Sequence, residues 1–266
     1  FRRYLPVGRP EIAAAAFNAW GADEILLVDI SASRGGTLIS QKLVECVANE
    51  CSVPLTIGGG IKTVDEIGSL LDAGADKILV NSANLDSNGC LERGQKIYGR
   101  QCMVAGIDYV FDNHDFYVYD HRSGKRTNTN LSDAVKSYID RGAGELFVND
   151  VYRDGRKTGY DLKAIGLVSP ISSIPVVWCG GAGSPKDFVD GFRSGNISAL
   201  AAGNFFNFNE HSINITKSFV GQVLPLRQDA LANYDDMPLD DIGRVSKLDE
   251  NVLQNLLYEK LDVEVI

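Results

Sequence analysis

The sequence predicts an α/β chain folded as a (β/α)8 TIM barrel built from two duplicated half-barrels. Two observations carry this. Short apolar runs alternate with helix-period stretches, and the segment from Gly21 to Val80 recurs in the same order 121 residues later. Gly21-Ala22-Asp23-Glu24 returns as Gly142-Ala143-Gly144-Glu145, and Asp29 as Asp150. Val53-Pro54-Leu55 returns as Ile174-Pro175-Val176, Gly59-Gly60 as Gly180-Gly181, Gly74 as Gly195, and Ile78–Val80 as Ala199–Ala201.

The strands are expected at Ile25–Asp29, Pro54–Ile57, Ile78–Asn81, Met103–Asp108, Leu146–Asn149, Val176–Cys179 and Ala199–Ala202. They are rich in Ile, Leu and Val, as strands buried on both faces are. Helices are expected at Pro10–Trp20, Ser40–Asn49, Val64–Ala73, Leu131–Arg141, Leu162–Val168 and Pro185–Ser194. Several end in Ala-Gly, Arg-Gly or Ser-Gly, a C-terminal stop leading into the next strand. Alternation of β and α with short loops implies a parallel sheet with right-handed crossovers. A closed barrel needs an eighth strand. The chain opens with a helix and on Phe1 rather than Met, so the N-terminal strand is expected to be absent from it and to lie upstream. The 121-residue mate of Asp108 falls there too. A barrel lacking that strand is expected to be open-sided and poorly soluble. An open doubly wound sheet is the alternative architecture, but such sheets seldom repeat internally in this way.

The barrel is expected over residues 1–220, with an acidic extension over 221–266 holding one helix at Asp249–Leu261. The extension is read as packing on the barrel or remaining partly disordered; a docking helix for a partner is the sharper reading. The 266 residues are 44% hydrophobic and 23% charged, with net charge −9, which argues against a non-specific nucleic-acid binder. No run approaches the ~20 apolar residues of a membrane span, and no signal peptide is visible. Five cysteines without a CxxC pair read as reduced, buried thiols of a cytoplasmic protein. His114, His121 and His211 sit in polar surroundings and suggest no site; no metal or cofactor is expected.

Active sites of such barrels lie at the C-terminal ends of the strands. Those ends carry glycine with small polar residues, twice: Gly58–Gly60 with Asn81-Ser82, and Gly180-Gly181 with Ala202-Gly203. Bare backbone N–H groups can close on phosphate oxygens there, and glycine permits the approach. Tight strand-to-helix turns also use Gly-Gly, but two pairs at one offset favour a ligand with a phosphate at each end. Asp108, ending Gly-Ile-Asp, is the candidate for proton transfer. Asp154, before Gly155, can orient a phosphate or hydroxyl. Asp29 and Asp150 read equally well as structural caps. At the opposite ends of the strands, Glu24, Lys77 and Glu145 form a charged ring, either a salt-bridge plug or a gated opening.

Taken together, these segments resemble the cyclase subunit of imidazole glycerol phosphate synthase over roughly residues 1–220. The resemblance rests on Gly-Ala-Asp-Glu-Ile-Leu-Leu-Val-Asp-Ile, Ile-Gly-Gly-Gly-Ile, Gly-Ala-Asp-Lys-Ile-Leu-Val-Asn-Ser-Ala, Gly-Ile-Asp, Arg-Asp-Gly-Arg-Lys-Thr-Gly-Tyr-Asp and Cys-Gly-Gly-Ala-Gly. It implies a ribulose-phosphate-binding barrel and an ammonia-dependent cyclase/lyase of histidine biosynthesis. That enzyme converts a two-phosphate ribonucleotide to imidazole glycerol phosphate and an aminoimidazole carboxamide ribonucleotide, with ammonia from a glutaminase subunit. Asp108 would match one of the family's two acid–base aspartates, the other lying on the upstream strand. Gly60, Asn81 and Ser82 would contact one phosphate; Gly155, Gly181, Ala202 and Gly203, with Asp154 beside them, the other. Glu24, Lys77 and Glu145 would match the ammonia gate. Three departures surround the substrate: the expected loop Lys125–Asn130 where the family shows Thr-Gly, Gly203 where it has serine, and Asn149-Asp150-Val151-Tyr152 for a usual Thr-Ser-Ile-Asp. They suggest, as alternatives, a paralogue supplying ammonia for acetamidino modification of surface-glycan sugars, or a catalytically dead barrel that docks and activates a glutaminase.

Overall fold

The computed structural model describes residues 8–86, 89–208, 211–226 and 239–246. The strands are β1 (Ile25–Val28), β2 (Leu55–Gly58), β3 (Lys77–Val80), β4 (Met103–Asp112), β5 (Asp115–Asp120), β6 (Lys125–Asn130), β7 (Glu145–Asp150), β8 (Val176–Cys179) and β9 (Ala199–Ala201). Seven of them form one parallel wall in the order β1-β2-β3-β4-β7-β8-β9. That order follows the chain without reversal. A doubly wound sheet reverses at a switch point, so the wall is that of a barrel. Among the described residues no ladder joins β9 to β1, and the curled wall stays open between them.

The helices are α1 (Pro10–Ala19), α2 (Ala32–Gly35), α3 (Gln41–Ala48), α4 (Val64–Asp72), α5 (Ser82–Leu85), α6 (Cys90–Tyr98), α7 (Leu131–Asp140), α8 (Leu162–Val168), α9 (Pro185–Arg193), α10 (Asn204–Asn207) and α11 (Ser212–Gly221). Side chains alternate across each strand. Ile57, Ile78 and Val80 turn outward and are fully buried with Ile67 and Leu70 of α4. Full burial of such a side chain contributes about 1.5–3 kcal/mol. The neighbouring residues Thr56, Gly58 and Lys77 turn inward to the barrel axis.

The duplication extends to the turn chemistry. Thr63 caps α4, its Oγ1 accepting from Glu66 N–H at 3.3 Å while its own N–H donates to Glu66 at 2.8 Å. In the second half Ser184 N–H donates to Asp187 at 2.8 Å at the start of α9. Asp29 accepts from the N–H groups of Ser31 and Ala32 at 2.9 and 3.1 Å; Asp150 accepts from Tyr152 and Arg153 at 2.9 and 3.0 Å. These mates are turn caps, as half-expected.

Four expectations need correction. The offset of 121 does not reach the last strand: Ile57 pairs Ile78 whereas Trp178 pairs Leu200, so the spacing becomes 122. The extra residue falls in the turn after Gly195, which places Gly203 opposite Asn81 and Asn204 opposite Ser82. Lys125–Asn130 is not a loop but β6; β4 runs on to Asp112 and turns through Asn113 and His114 (φ 48° and 72°) into β5. Helix α6 fills the span between β3 and β4. Cys46 is exposed and Cys51 and Cys179 half-buried, so only Cys90 and Cys102 are buried thiols. The expected helix Asp249–Leu261 lies outside the described residues. The nearby stretch 239–246 makes a Leu239–Val245 bridge and accepts from Lys186 N–H of α9 at 3.2 Å through Ile242 O.

Candidate active site

The parallel wall brings the C-terminal strand ends to one rim, and Asp108 is its centre. The β4–β7 register sets Asp108 beside Asn149, whose Nδ2 donates to Oδ1 at 2.8 Å. Asn81, just past β3, donates to Oδ2, and His121 Nε2 lies 2.5 Å from the same oxygen. A carboxylate with three such partners is fixed in direction. Asp108 is only 5% exposed. Burial pushes the His121 ring down, but the hydrogen bond and charge of Asp108 outweigh it, and the imidazole pKa ends above its ordinary value. The histidine that suggested no site thus stands against the candidate acid. The β4–β5 reversal, read in the sequence as a strand end, is what brings it there.

Asp154, Gly155, Gly181, Ala202 and Gly203 converge on one cleft, together with Gly180, Ala182, Asn204 and Phe205. Asn204 and Phe205 were not anticipated; the one-residue slip in the repeat hid them. Burial raises the Asp154 carboxyl above its ordinary value, and the charges of Asp108 and Asp150 add to this. Burial also raises the Cys179 thiol, with Asp154 adding. In the first half, Ser82 opens α5, and Gly60 lies against the backbone of Thr37. Asn81 has its amide on Asp108.

At the other end of the wall, Lys77 Nζ pairs with Glu24 at 2.8 Å and Glu145 at 2.7 Å, and Thr56 Oγ1 donates to Glu24 at 2.5 Å. Burial pushes Lys77 down, but its two carboxylate partners outweigh that and raise it. Burial raises Glu145, Glu24 adds to the rise, and Lys77 opposes it. The pair energy of Lys77 is therefore present at neutral pH and is lost only above the ordinary lysine range. Lys77→Met leaves two acids facing each other with no cation between them. It is expected to lower stability by about 1–3 kcal/mol, less than for a fully buried pair because these groups are partly exposed. Urea unfolding checks this: the deficit should narrow as pH falls and Glu145 takes up a proton. Among the described residues no cluster of three His, Cys, Asp or Glu side chains could hold a metal, and no helix is long and apolar enough to cross a membrane.

Fold and rim together define an α/β barrel with the buried Asp108 at its rim and a charged ring at its base. The chain belongs to the histidine biosynthesis protein family, whose sequence profile matches residues 1–212. It is 37% identical over 245 residues to a Vibrio vulnificus (strain YJ016) protein provisionally named imidazole glycerol phosphate synthase subunit hisF2, covering 92% of this chain and 90% of that one. It is 38% identical over 224 residues to imidazole glycerol phosphate synthase subunit HisF of Natranaerobius thermophilus, covering 84% and 88%. To the HisF subunit of Staphylococcus saprophyticus it is 34% identical over 220 residues, covering 82% and 87%.

Proposed function

We propose that this chain is the cyclase subunit of an imidazole glycerol phosphate synthase, an ammonia-dependent lyase of histidine biosynthesis. The observation that carries the reading is the opposed pair of features on one barrel: a buried, fully hydrogen-bonded Asp108 at the rim and a Glu–Lys–Glu ring at the base. In this reading a glutaminase partner delivers ammonia past Glu24, Lys77 and Glu145. Ammonia travels along the axis to a two-phosphate ribonucleotide held at the rim. The Gly155–Gly181–Ala202–Gly203 cleft takes one phosphate beside Asp154, and Gly60 and Ser82 take the other. Asp108, oriented by Asn81 and Asn149, does the acid–base work on the central ring. A dead docking barrel has no use for an acid fixed in this way.

Asn149 and Gly203 differ from the family's usual residues at the substrate rim, and the hisF2 name of one relative fits that. These support a second reading, a paralogue supplying ammonia for sugar amidination. The test is substrate loss with the full chain, high ammonium and the two-phosphate ribonucleotide. Turnover is expected. Binding without turnover would sink the enzyme reading, and no binding at all would favour the paralogue.

A further inference from the structure

Asp108 is almost wholly buried. Its side chain is 7% exposed, whereas that of His121, against its Oδ2, is 21% exposed. The ring is therefore the solvent-facing half of a pair whose other half is buried. The pair is built rather than incidental, since several independent ties hold the hairpin that carries it. Arg34 Nε donates to His121 O at 3.3 Å, fixing the hairpin to α2. Arg122 bridges Asp120 at 3.1 Å and Asp86 at 2.7 Å, fixing it to the loop after α5. Tyr119 packs edge-on against the imidazole at 5.3 Å.

The carboxylate has no need of His121 for its orientation. Asn149 and Asn81 already occupy both oxygens. An acid at this position needs a group from which its proton is replaced. His121 is the one neighbour of the three that can part with a proton.

We propose that Asp108 and His121 form a proton-relay pair, in which His121 Nε2 supplies the proton that Asp108 passes to the substrate. As the relay fires, the Nε2–H bond breaks and a proton forms O–H on Asp108; that carboxyl then releases a proton to the substrate's leaving group. The imidazole is left neutral and regains a proton from solvent. The same steps run backwards when Asp108 accepts a proton. The charged groups around the pair are Arg34 from α2, Asp120 and Arg122 of the hairpin, and Asp154 after β7. Arg34 disfavours the imidazolium, and Asp120 and Asp108 favour it. His121 thus acts through Asp108, as a relay residue that does not itself touch the substrate. The inference rests on the cyclase reading.

The test combines kinetics with ring titration on the full chain. With high ammonium and the two-phosphate ribonucleotide, wild-type kcat is expected to hold up to a pH above the ordinary imidazole range and then fall. His121→Gln retains an amide donor for Oδ2 but no transferable proton. Its kcat is expected to fall about 10- to 100-fold, with KM little changed and the imidazole-dependent decline lost from the pH profile. A His121→Gln enzyme with the wild-type rate and pH profile would overturn the relay. Independently, the His121 ring signals followed by NMR should titrate above the ordinary value in wild type and drop in Asp108→Asn. An unchanged titration would overturn the pairing. If wild type turns over no ribonucleotide, the cyclase reading fails, and the ring titration still decides whether the pair exists.

Discussion

Asp108→Asn is expected to lower ammonium-dependent kcat by about 100- to 10,000-fold, the range spanned by general acid–base groups. It should do so without unfolding the barrel. Asparagine offers one acceptor and one donor group where the carboxylate offers two acceptors. Asn81 and His121 can keep the carbonyl oxygen. The new NH2 then faces the Nδ2 of Asn149, a clash of donors. Asn149, however, has a buried Oδ1 with no partner among the described residues. A half-turn of its amide presents that oxygen to the new NH2 and restores a hydrogen bond, so the stability change should stay within about 1 kcal/mol. Asp108→Ala has no such rescue. It strands three donors and is expected to lower stability as well as rate, by about 1–3 kcal/mol for each unsatisfied group. Parallel urea unfolding and steady-state assays of the two variants separate chemistry from packing. An Asp108→Asn protein that unfolds as easily as Asp108→Ala, or that turns over normally, would remove Asp108 from the centre of the site.

The sequence exposes what depends on short-range pattern. The seven wall strands announce themselves as short apolar runs, and the turn caps Asp29 and Asp150 as mates in a repeat. What it hides depends on pairing between distant or polar segments. Lys125–Asn130 reads Lys-Arg-Thr-Asn-Thr-Asn, with no apolar alternation to mark a strand. It is extended because β5 pairs with it, and β5 buries only Phe116 and Val118. A signal was nevertheless present. Phe-Asp-Asn-His-Asp-Phe carries aromatic residues symmetrically about Asn-His, the pattern of a two-residue hairpin turn with both central residues at positive φ. Recognising that turn would have folded His121 back toward Asp108. Helix α6 was hidden by Gly94 in its middle. The structure shows why glycine is there: a Cβ would lie 2.8 Å from Met103 Cε and 2.9 Å from Ile67 Cδ1. The slip from 121 to 122 involves one residue in a polar turn, which no periodicity reports.

The paired glycines were taken as phosphate cradles, and here the geometry separates two demands on the same residue type. Gly60 has φ +73°, and a Cβ on it would lie 1.8 Å from Thr37 O; Gly181 has φ +112°, and its Cβ would lie 2.1 Å from Gly159 O. The obstruction is backbone in both halves, and backbone cannot step aside as a side-chain end can. Residue 181 also accepts from Gly159 N–H at 2.8 Å, so displacing the loop breaks a hydrogen bond. Left-handed strain alone is about 1–2 kcal/mol. With the clash added, Gly60→Ala and Gly181→Ala are each expected to cost about 4 kcal/mol or more, a large share of the roughly 5–15 kcal/mol that holds a domain folded. At about 2–4 °C per kcal/mol for a chain near this size, Tm should fall by roughly 10 °C or further. Gly203 is the contrast: a Cβ there meets nothing within 4 Å, and its φ of −99° suits any residue. Gly203→Ala should leave Tm within about 1–2 °C, as an unobstructed substitution does, yet it places a methyl group in the cleft beside Asp154. Loss of ribonucleotide affinity in Gly203→Ala without loss of stability would mark this glycine as ligand space. If Gly181→Ala were as stable as wild type, the close approach of the two turns would not be what demands glycine there, and the phosphate would be left as the reason for it.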